Sequence, residues 1–381
     1  MSKKQINPTL GLLKENKYLE SIAEIADVDD IDAYMEKPFT VGAVDVGYGN
    51  VKYLTVSEGE TSFNHGHFPA IAPIAPNIDM SGGMLGKRNT KIIEIETVRY
   101  EVGVDAGMTA TGTDTVRVLN DSYIFSPQYK ALFLGALSYM GKESYDVIVM
   151  GLPVKNMYNA EKLKKQFTGK FEIDNGKEVE IKKVLVIPQP LGGFYDIAIR
   201  ENMYDEMIDE INLVIDPGYL TFDFLLLYGL TPIESRSDAM NGGMSKVLIS
   251  MAKSISAEIE RPYTDYEAID KALRKPKMVE DPKTGEKVPK RIIKIAGKKL
   301  DLLPHIIKTA SVIENSITAM KNVVQSYDDI DNILLVGGPE GVFEKKIIEN
   351  LDGRELLKSK EPIYSNVTGF FFWGVVDMLS E

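Results

Sequence analysis

Two aspartates interrupt apolar strands in this sequence: Asp45 in FTVGAVDVGYGNVKYLTV and Asp216 in LVIDPGYLTFDFLLLYG. Burying an unpaired charge is expensive, so a carboxylate at the mouth of each strand points to chemistry. Each has a glycine two residues on, a short turn and a β-rich return strand, so that Asp45-Val46-Gly47-Tyr48-Gly49-Asn50 aligns with Asp216-Pro217-Gly218-Tyr219-Leu220-Thr221. A glycine-bearing hairpin tip points consecutive backbone N–H groups into one concavity, which suits an anion. The carboxylate at its rim would repel a phosphate. It can instead hold the hydrated Mg²⁺ that bridges phosphates, an ion that keeps several waters and binds through one or two carboxylates. Two such hairpins facing each other predict a grip on the phosphate tail of a nucleotide.

The elements that must position these hairpins follow from periodicity. Strands are expected at 42–46 and 51–57, with weaker ones near 62–70, 91–96 and 98–102. Tyr129, Leu132, Phe133, Ala136, Leu137 and Met140 recur at helical spacing, so 127–141 reads as an amphipathic helix. A buried strand follows at 145–153, then a helical stretch, a strand ending in IPQ, a helix, and the second hairpin from 213. Met244, Val247, Leu248, Met251 and Ile255 share one helix face, a further helix spans about 304–326, and NILLVGG reads as a strand and turn. A last helix from about Thr368 carries Phe370, Phe371, Phe372 and Trp373, read as core. This alternation predicts an α/β architecture, and its repetition predicts two related domains with a cleft between them. Residues 1–39, polar and acidic, read as a partly helical extension outside the core fold. Residues 271–300 concentrate lysine and arginine around DPKTGE, which reads as a solvated basic hairpin and a candidate filament or partner contact.

With 381 residues, the chain has room for two domains with sizeable cores. A formal charge of −12 argues against a surface built to bind nucleic acid directly. No cysteine is present, which excludes disulfides and thiolate metal sites. No signal-peptide core and no run of about 18 apolar residues appears. A cytoplasmic protein that engages no membrane is expected.

The order Asp45-x-Gly47-x-Gly49-Asn50-x-Lys52, Asp216-x-Gly218-x-x-Thr221-Phe222-Asp223 and Gly337-Gly338 after an apolar strand resembles the phosphate-1, phosphate-2 and adenosine motifs of the actin, DnaK-type chaperone and sugar-kinase superfamily. FPA at 68–70, YEVGVDA at 100–106, VIVMGLP at 147–153, IPQPLGG at 187–193 and IYSNVTGFFFWG at 363–374 look like the bacterial plasmid-segregation actins of the ParM/StbA type. The resemblance covers about 40–380. It implies a two-domain actin-like fold, ribonuclease H-like and duplicated, with the nucleotide in the interdomain cleft. The domains it implies are 40–209 with the C-terminal helix 355–381, and 210–354. It further implies that Asp45 and Asp216 organise Mg²⁺, and that Gly47, Tyr48, Gly49 and Asn50 with Gly218, Tyr219, Leu220 and Thr221 hold the phosphates of ATP or GTP. Lys52 would neutralise phosphate charge, Gln189 would position the attacking water, and Gly243, Gly337, Gly338 and Pro339 would lie against ribose and adenine. Two departures stand out: Tyr219 and Leu220 occupy turn positions where relatives often carry glycine, and Pro217 removes a backbone donor.

The function so implied is an ATPase whose nucleotide cycle drives a homopolymer filament, segregating plasmids through a DNA-binding adaptor at a centromere. A small-molecule kinase of the same superfamily is the alternative, and would need a catalytic base for a substrate hydroxyl; no independent candidate is evident. A chaperone-like ATPase is disfavoured because the sequence ends soon after the adenosine motif.

Overall fold

The computed structural model describes residues 7–57, 62–76, 88–108, 123–280, 286–351 and 353–381. In chain order, helices α1 (Pro8–Glu15) and α2 (Leu19–Ile25) precede strands β1 (Val41–Val46), β2 (Asn50–Val56), β3 (Phe63–Pro69), β4 (Thr90–Ile95) and β5 (Val98–Gly103). There follow α3 (Pro127–Met140), β6 (Ser144–Leu152), α4 (Ala160–Phe167), β7 (Gly169–Ile173), β8 (Lys177–Pro188), α5 (Gln189–Arg200) and α6 (Tyr204–Met207). The second half has β9 (Ile211–Pro217), β10 (Thr221–Tyr228), β11 (Thr231–Pro232), β12 (Asp238–Asn241), α7 (Met244–Glu258) and α8 (Tyr266–Arg274). Two short hairpins come next, β13 (Lys277–Glu280) with β14 (Lys287–Lys290) and β15 (Ile292–Ile295) with β16 (Lys298–Asp301). The turn expected at DPKTGE falls largely outside the described residues. The chain closes with α9 (Leu303–Val324), β17 (Asn332–Leu335), α10 (Glu340–Ile348), β18 (Leu357–Lys358) and α11 (Ser365–Ser380).

The two halves build sheets of the same plan. The first runs β3-β2-β1-β6-β8-β7, and the second β11-β10-β9-β17-β18 with β12 also paired to β10. In each, an antiparallel hairpin (β1–β2, β9–β10) meets a parallel strand on its other side (β6, β17). The central strands are buried on both faces, as parallel sheets covered by helices must be. Their side chains divide with a period of two. Val41, Ala43 and Val214 enter a shared central core, whereas Val44 and Val46 face the first half's own core and Leu213 and Ile215 the second's.

That central core is sandwiched between the sheets around α5 and α11. Helix α11 packs on β1 and β6, and α5 packs on α11, β9 and β17. The two helices touch backbone to backbone: a Cβ on Gly369 would overlap the carbonyl of Gly192, so both positions require glycine. Phe370, Phe371 and Phe372 are fully buried core residues, as expected, although the helix begins at Ser365 rather than near Thr368.

The N-terminal segment differs from expectation. Leu10, Leu13, Leu19 and Ile22 are buried in the same core as α5 and α11, and the ring of Tyr18 meets Phe372 at 5.5 Å. Asn7 caps α1, accepting from the N–H groups of Thr9 and Leu10, with Pro8 in the first turn. The segment is helical, but it is part of the fold rather than outside it. Its polar composition conceals a narrow apolar stripe.

Candidate functional site

The tips of β1–β2 and β9–β10 approach each other at the cleft between the sheets. Asp45, next to last in β1, stands opposite Lys52 in the antiparallel register, and Asp216, next to last in β9, stands opposite Asp223 in the same way. The hairpins are therefore equivalent position by position, with a lysine in one where the other has an acid.

Asp45 is 1% exposed, and both of its oxygens are engaged. Lys52 Nζ donates to Oδ2 at 2.7 Å, and Gln189 Nε2, from the first turn of α5, donates to Oδ1 at 2.7 Å. Asp216 is equally enclosed: Asn366 Nδ2 of α11 donates to its Oδ2 at 2.7 Å. Burial, opposed by the Asn366 hydrogen bond and by Lys52, pushes Asp216 up to about 6. Asp223, 1% exposed, accepts the backbone N–H of Val154 at 3.2 Å; burial, and then the neighbouring Asp216, raise it to about 8. Three buried acids thus meet in the heart of the cleft: Lys52 neutralises Asp45, while burial favours the protonated form of Asp223 and, less strongly, of Asp216.

Around them the cleft is lined by Gly47, Tyr48, Gly49, Asn50, Gly218, Tyr219, Thr221, Gly337, Gly338 and Pro339, together with Gln189 and Lys52. Of the residues singled out from the sequence, only Leu220 and Gly243 are absent from this lining. Gly243 lies behind the second hairpin, where a Cβ would stand 2.5 Å from the carbonyl oxygen of Gly218. The first turn of α7 braces that hairpin, since the N–H groups of Met244 and Ser245 donate to the carbonyls of Gly218 and Tyr219 at 3.0 and 2.7 Å. The N–H of Gly218 itself closes the hairpin onto Thr221 O at 2.8 Å, so it is not directed into the cleft.

Asn366, Asp223 and Arg274 also line the cleft, and sequence reasoning gave them no role. Arg274, at the end of α8, pairs with Asp270 at 3.0 Å. The cleft is narrow: the cavity among these residues is about 50 Å³, whereas small-molecule sites usually measure ~300 Å³ or more. The hairpins touch, because a Cβ on Gly49 would lie 2.8 Å from the Cβ of Tyr219. Admission of a ligand of nucleotide size would require them to part.

Comparison with known proteins agrees with this geometry. Residues 43–192 match the family described as actin like proteins N terminal domain. The crystal structure of Ta0583, an archaeal actin homolog, is similar at a TM-score of 0.69 and 17% identity, covering 89% of this chain and 100% of that one. The subunit of a 15-stranded ParM filament from Clostridium botulinum is similar at a TM-score of 0.68 and 17% identity, covering 88% of this chain and 99% of that one. Ta0583 in complex with ADP gives a TM-score of 0.64 at 16% identity over 87% of this chain and 98% of that one. No curated protein matches the sequence. Residues 43–192 thus carry the likeness to that N-terminal domain, and the chain as a whole has the two-domain actin-like fold expected from its motifs.

Proposed function

We propose that this chain is a nucleotide-driven filament protein of the ParM kind. It would bind ATP or GTP between its two hairpins, hydrolyse it, and polymerise head to tail in the cytoplasm, moving plasmid DNA through a DNA-binding adaptor. The observation that carries the reading is the pair of equivalent hairpins whose buried aspartates, Asp45 and Asp216, face one cleft. The similar structures supply filament and ADP precedents for their own proteins.

The residues present fit Mg²⁺, since Asp45 and Asp216 are buried carboxylates at the rims of two facing hairpins, with Lys52 bound to the first and only an amide donated to the second. Asp45 and Asp216 would hold it through water, and the ion would screen the charge of the phosphates. The chain's own groups account for the rest. Gln189 gives its amide N–H to Asp45, and its carbonyl oxygen would be the acceptor that orients a water molecule. Lys52, already held at the cleft by Asp45, can turn its ammonium to a phosphate oxygen. In such a site catalysis is mostly positioning and electrostatics.

The domains implied are 40–209 with 355–381, and 210–354, and both are needed to complete the site. Closure around a triphosphate would favour the polymerising subunit, and a diphosphate would release it, because a ligand shifts a population only by its differential affinity for two states. Pelleting across protein concentration tests this. Filaments with ATP or GTP and Mg²⁺, lost on Asp216→Ala in a folded protein, are expected. Absence of sedimentable filaments with either nucleotide, together with phosphorylation of a small molecule, would replace the reading with the kinase one.

A further inference from the structure

A second cavity lies apart from the nucleotide cleft and shares no lining residue with it. It is a groove of about 600 Å³ between α7 and α9, closed at one end by β12, a volume within the range of small-molecule sites. Helix α7 presents Lys246 and Lys253, seven residues apart and hence on one face. Helix α9 presents Val312 and Ala319, whose small side chains leave the space open and give it an apolar floor, beside the polar Asn315 and Ser316.

The two lysines have no carboxylate partner among the described residues. The acids of the surrounding helices are turned elsewhere: Glu314 of α9 pairs with Lys346 of α10 at 2.7 Å, and Glu258 of α7 faces His305 at 3.4 Å. The side-chain amides of Asn241 and Asn315 also line the groove, and neither makes a hydrogen bond among the described residues. In a protein of net charge −12, a groove with two unpaired cations, two unpaired amides and an apolar floor stands out as an anion site. Seven residues of α-helix place the lysines about 10 Å apart along the groove.

We propose that the α7–α9 groove is a second ligand site, taking a small elongated organic bisphosphate whose acidic groups reach Lys246 and Lys253 while its middle lies on Val312 and Ala319. The site is joined to the nucleotide hairpin. Ser316 Oγ donates to Gly242 O at 3.0 Å, and the next two residues after Gly243 hold the Gly218 and Tyr219 carbonyls. Occupancy of the groove therefore bears directly on the phosphate-binding turn.

Calorimetric titration of the full chain with fructose 1,6-bisphosphate, adenosine 3′,5′-bisphosphate and inorganic phosphate tests the proposal. At least one bisphosphate should bind, and inorganic phosphate more weakly by about tenfold or more. The double variant Lys246→Gln/Lys253→Gln should lose about tenfold or more in affinity. Ala319→Trp, which fills the floor and keeps both charges, should lose binding as well, whereas Lys52→Met in the cleft should leave it unchanged. The proposal is overturned if no bisphosphate binds at about 1 mM, if binding survives the lysine double variant or Ala319→Trp, or if Lys52→Met abolishes it.

Discussion

Gly337 is the position at which one added carbon would do most to the cleft. Its φ is +87°, a conformation that L side chains rarely adopt, and a Cβ there would overlap Asp216 Oδ1 and stand 3.0 Å from the carbonyl oxygen of Pro217. Gly337→Ala therefore carries two costs. The backbone strain is about 1–2 kcal/mol, and the carboxylate, driven from its place, gives up the Asn366 hydrogen bond, a bond to a charged group worth ~1.5–3 kcal/mol. The sum is about 3–5 kcal/mol, which in a chain of this size, at ~2.1 cal/mol/K of unfolding entropy per residue, lowers the thermal midpoint by roughly 4–6 °C. Asn366→Ala alone should cost only the second part. Because the bond is already broken in Gly337→Ala, the double variant should be less destabilised than the sum of the singles, which a double-mutant cycle reads directly. Both singles should weaken binding of ATP or GTP with Mg²⁺. A Gly337→Ala protein with the parent's midpoint, or strictly additive singles, would show that Asp216 is not held between Gly337 and Asn366.

Asp223 sets a pH dependence on the nucleotide-free protein. Its raised pKa of about 8 means that its contribution to stability is complete below the ordinary carboxylate range and is lost as pH rises through about 8, at a slope of ~1.4 kcal/mol per pH unit. Denaturant unfolding between about pH 6 and 8 should show this loss in the parent and a flatter profile in Asp223→Asn; parallel profiles would remove the residue from that role. Leu13, fully buried against the central core, should cost about 2–5 kcal/mol as Leu13→Ala, measured by the unfolding midpoint, and an unchanged midpoint would return the N-terminal helices to the periphery. Gln189→Ala should lower nucleotide turnover by about 10²-fold or more with little change in nucleotide affinity, as followed by phosphate release. Turnover equal to the parent's would end its water-positioning role.

The two hairpins were legible because a carboxylate in an apolar strand, with glycine two residues on, is a local anomaly that every neighbouring residue helps to define. The duplicated sheets were legible for the same reason, through periods of two and of about 3.6 that the cores obey. Asn366 was not, since its hydrogen bond to Asp216 joins residues 150 apart in sequence and nothing local marks an asparagine in an apolar helix as a carboxylate partner. Arg274 was hidden in a basic stretch that reads as a solvated face, and only the direction of α8 turns it into the cleft. The N-terminal helices were misplaced because Leu10, Leu13 and Ile22 are diluted by lysine and glutamate. Asn7-Pro8, a cap followed by proline, was the available sign of a helix start.

The unequal partners of the two aspartates suggest how the halves communicate. Asp45 is held by Lys52 and Gln189, both from its own sheet and the helix that follows it, so its surroundings are complete without the second half. The acids of the second hairpin are held from across the cleft: Asp216 by Asn366 on a helix that packs against the first sheet, and Asp223 by the N–H of Val154, just beyond β6. Any motion that parts the hairpins enough to admit a nucleotide strains those two hydrogen bonds while leaving the Asp45 group intact. The Asn366 bond also favours the charged form of Asp216, so loosening it raises the cost of ionising that acid unless a cation arrives with the ligand. On the proposed reading the site would thus resist opening for a bare phosphate tail and yield to one accompanied by a divalent ion, and ligand entry would be tied to charge supply through the same contacts that join the halves.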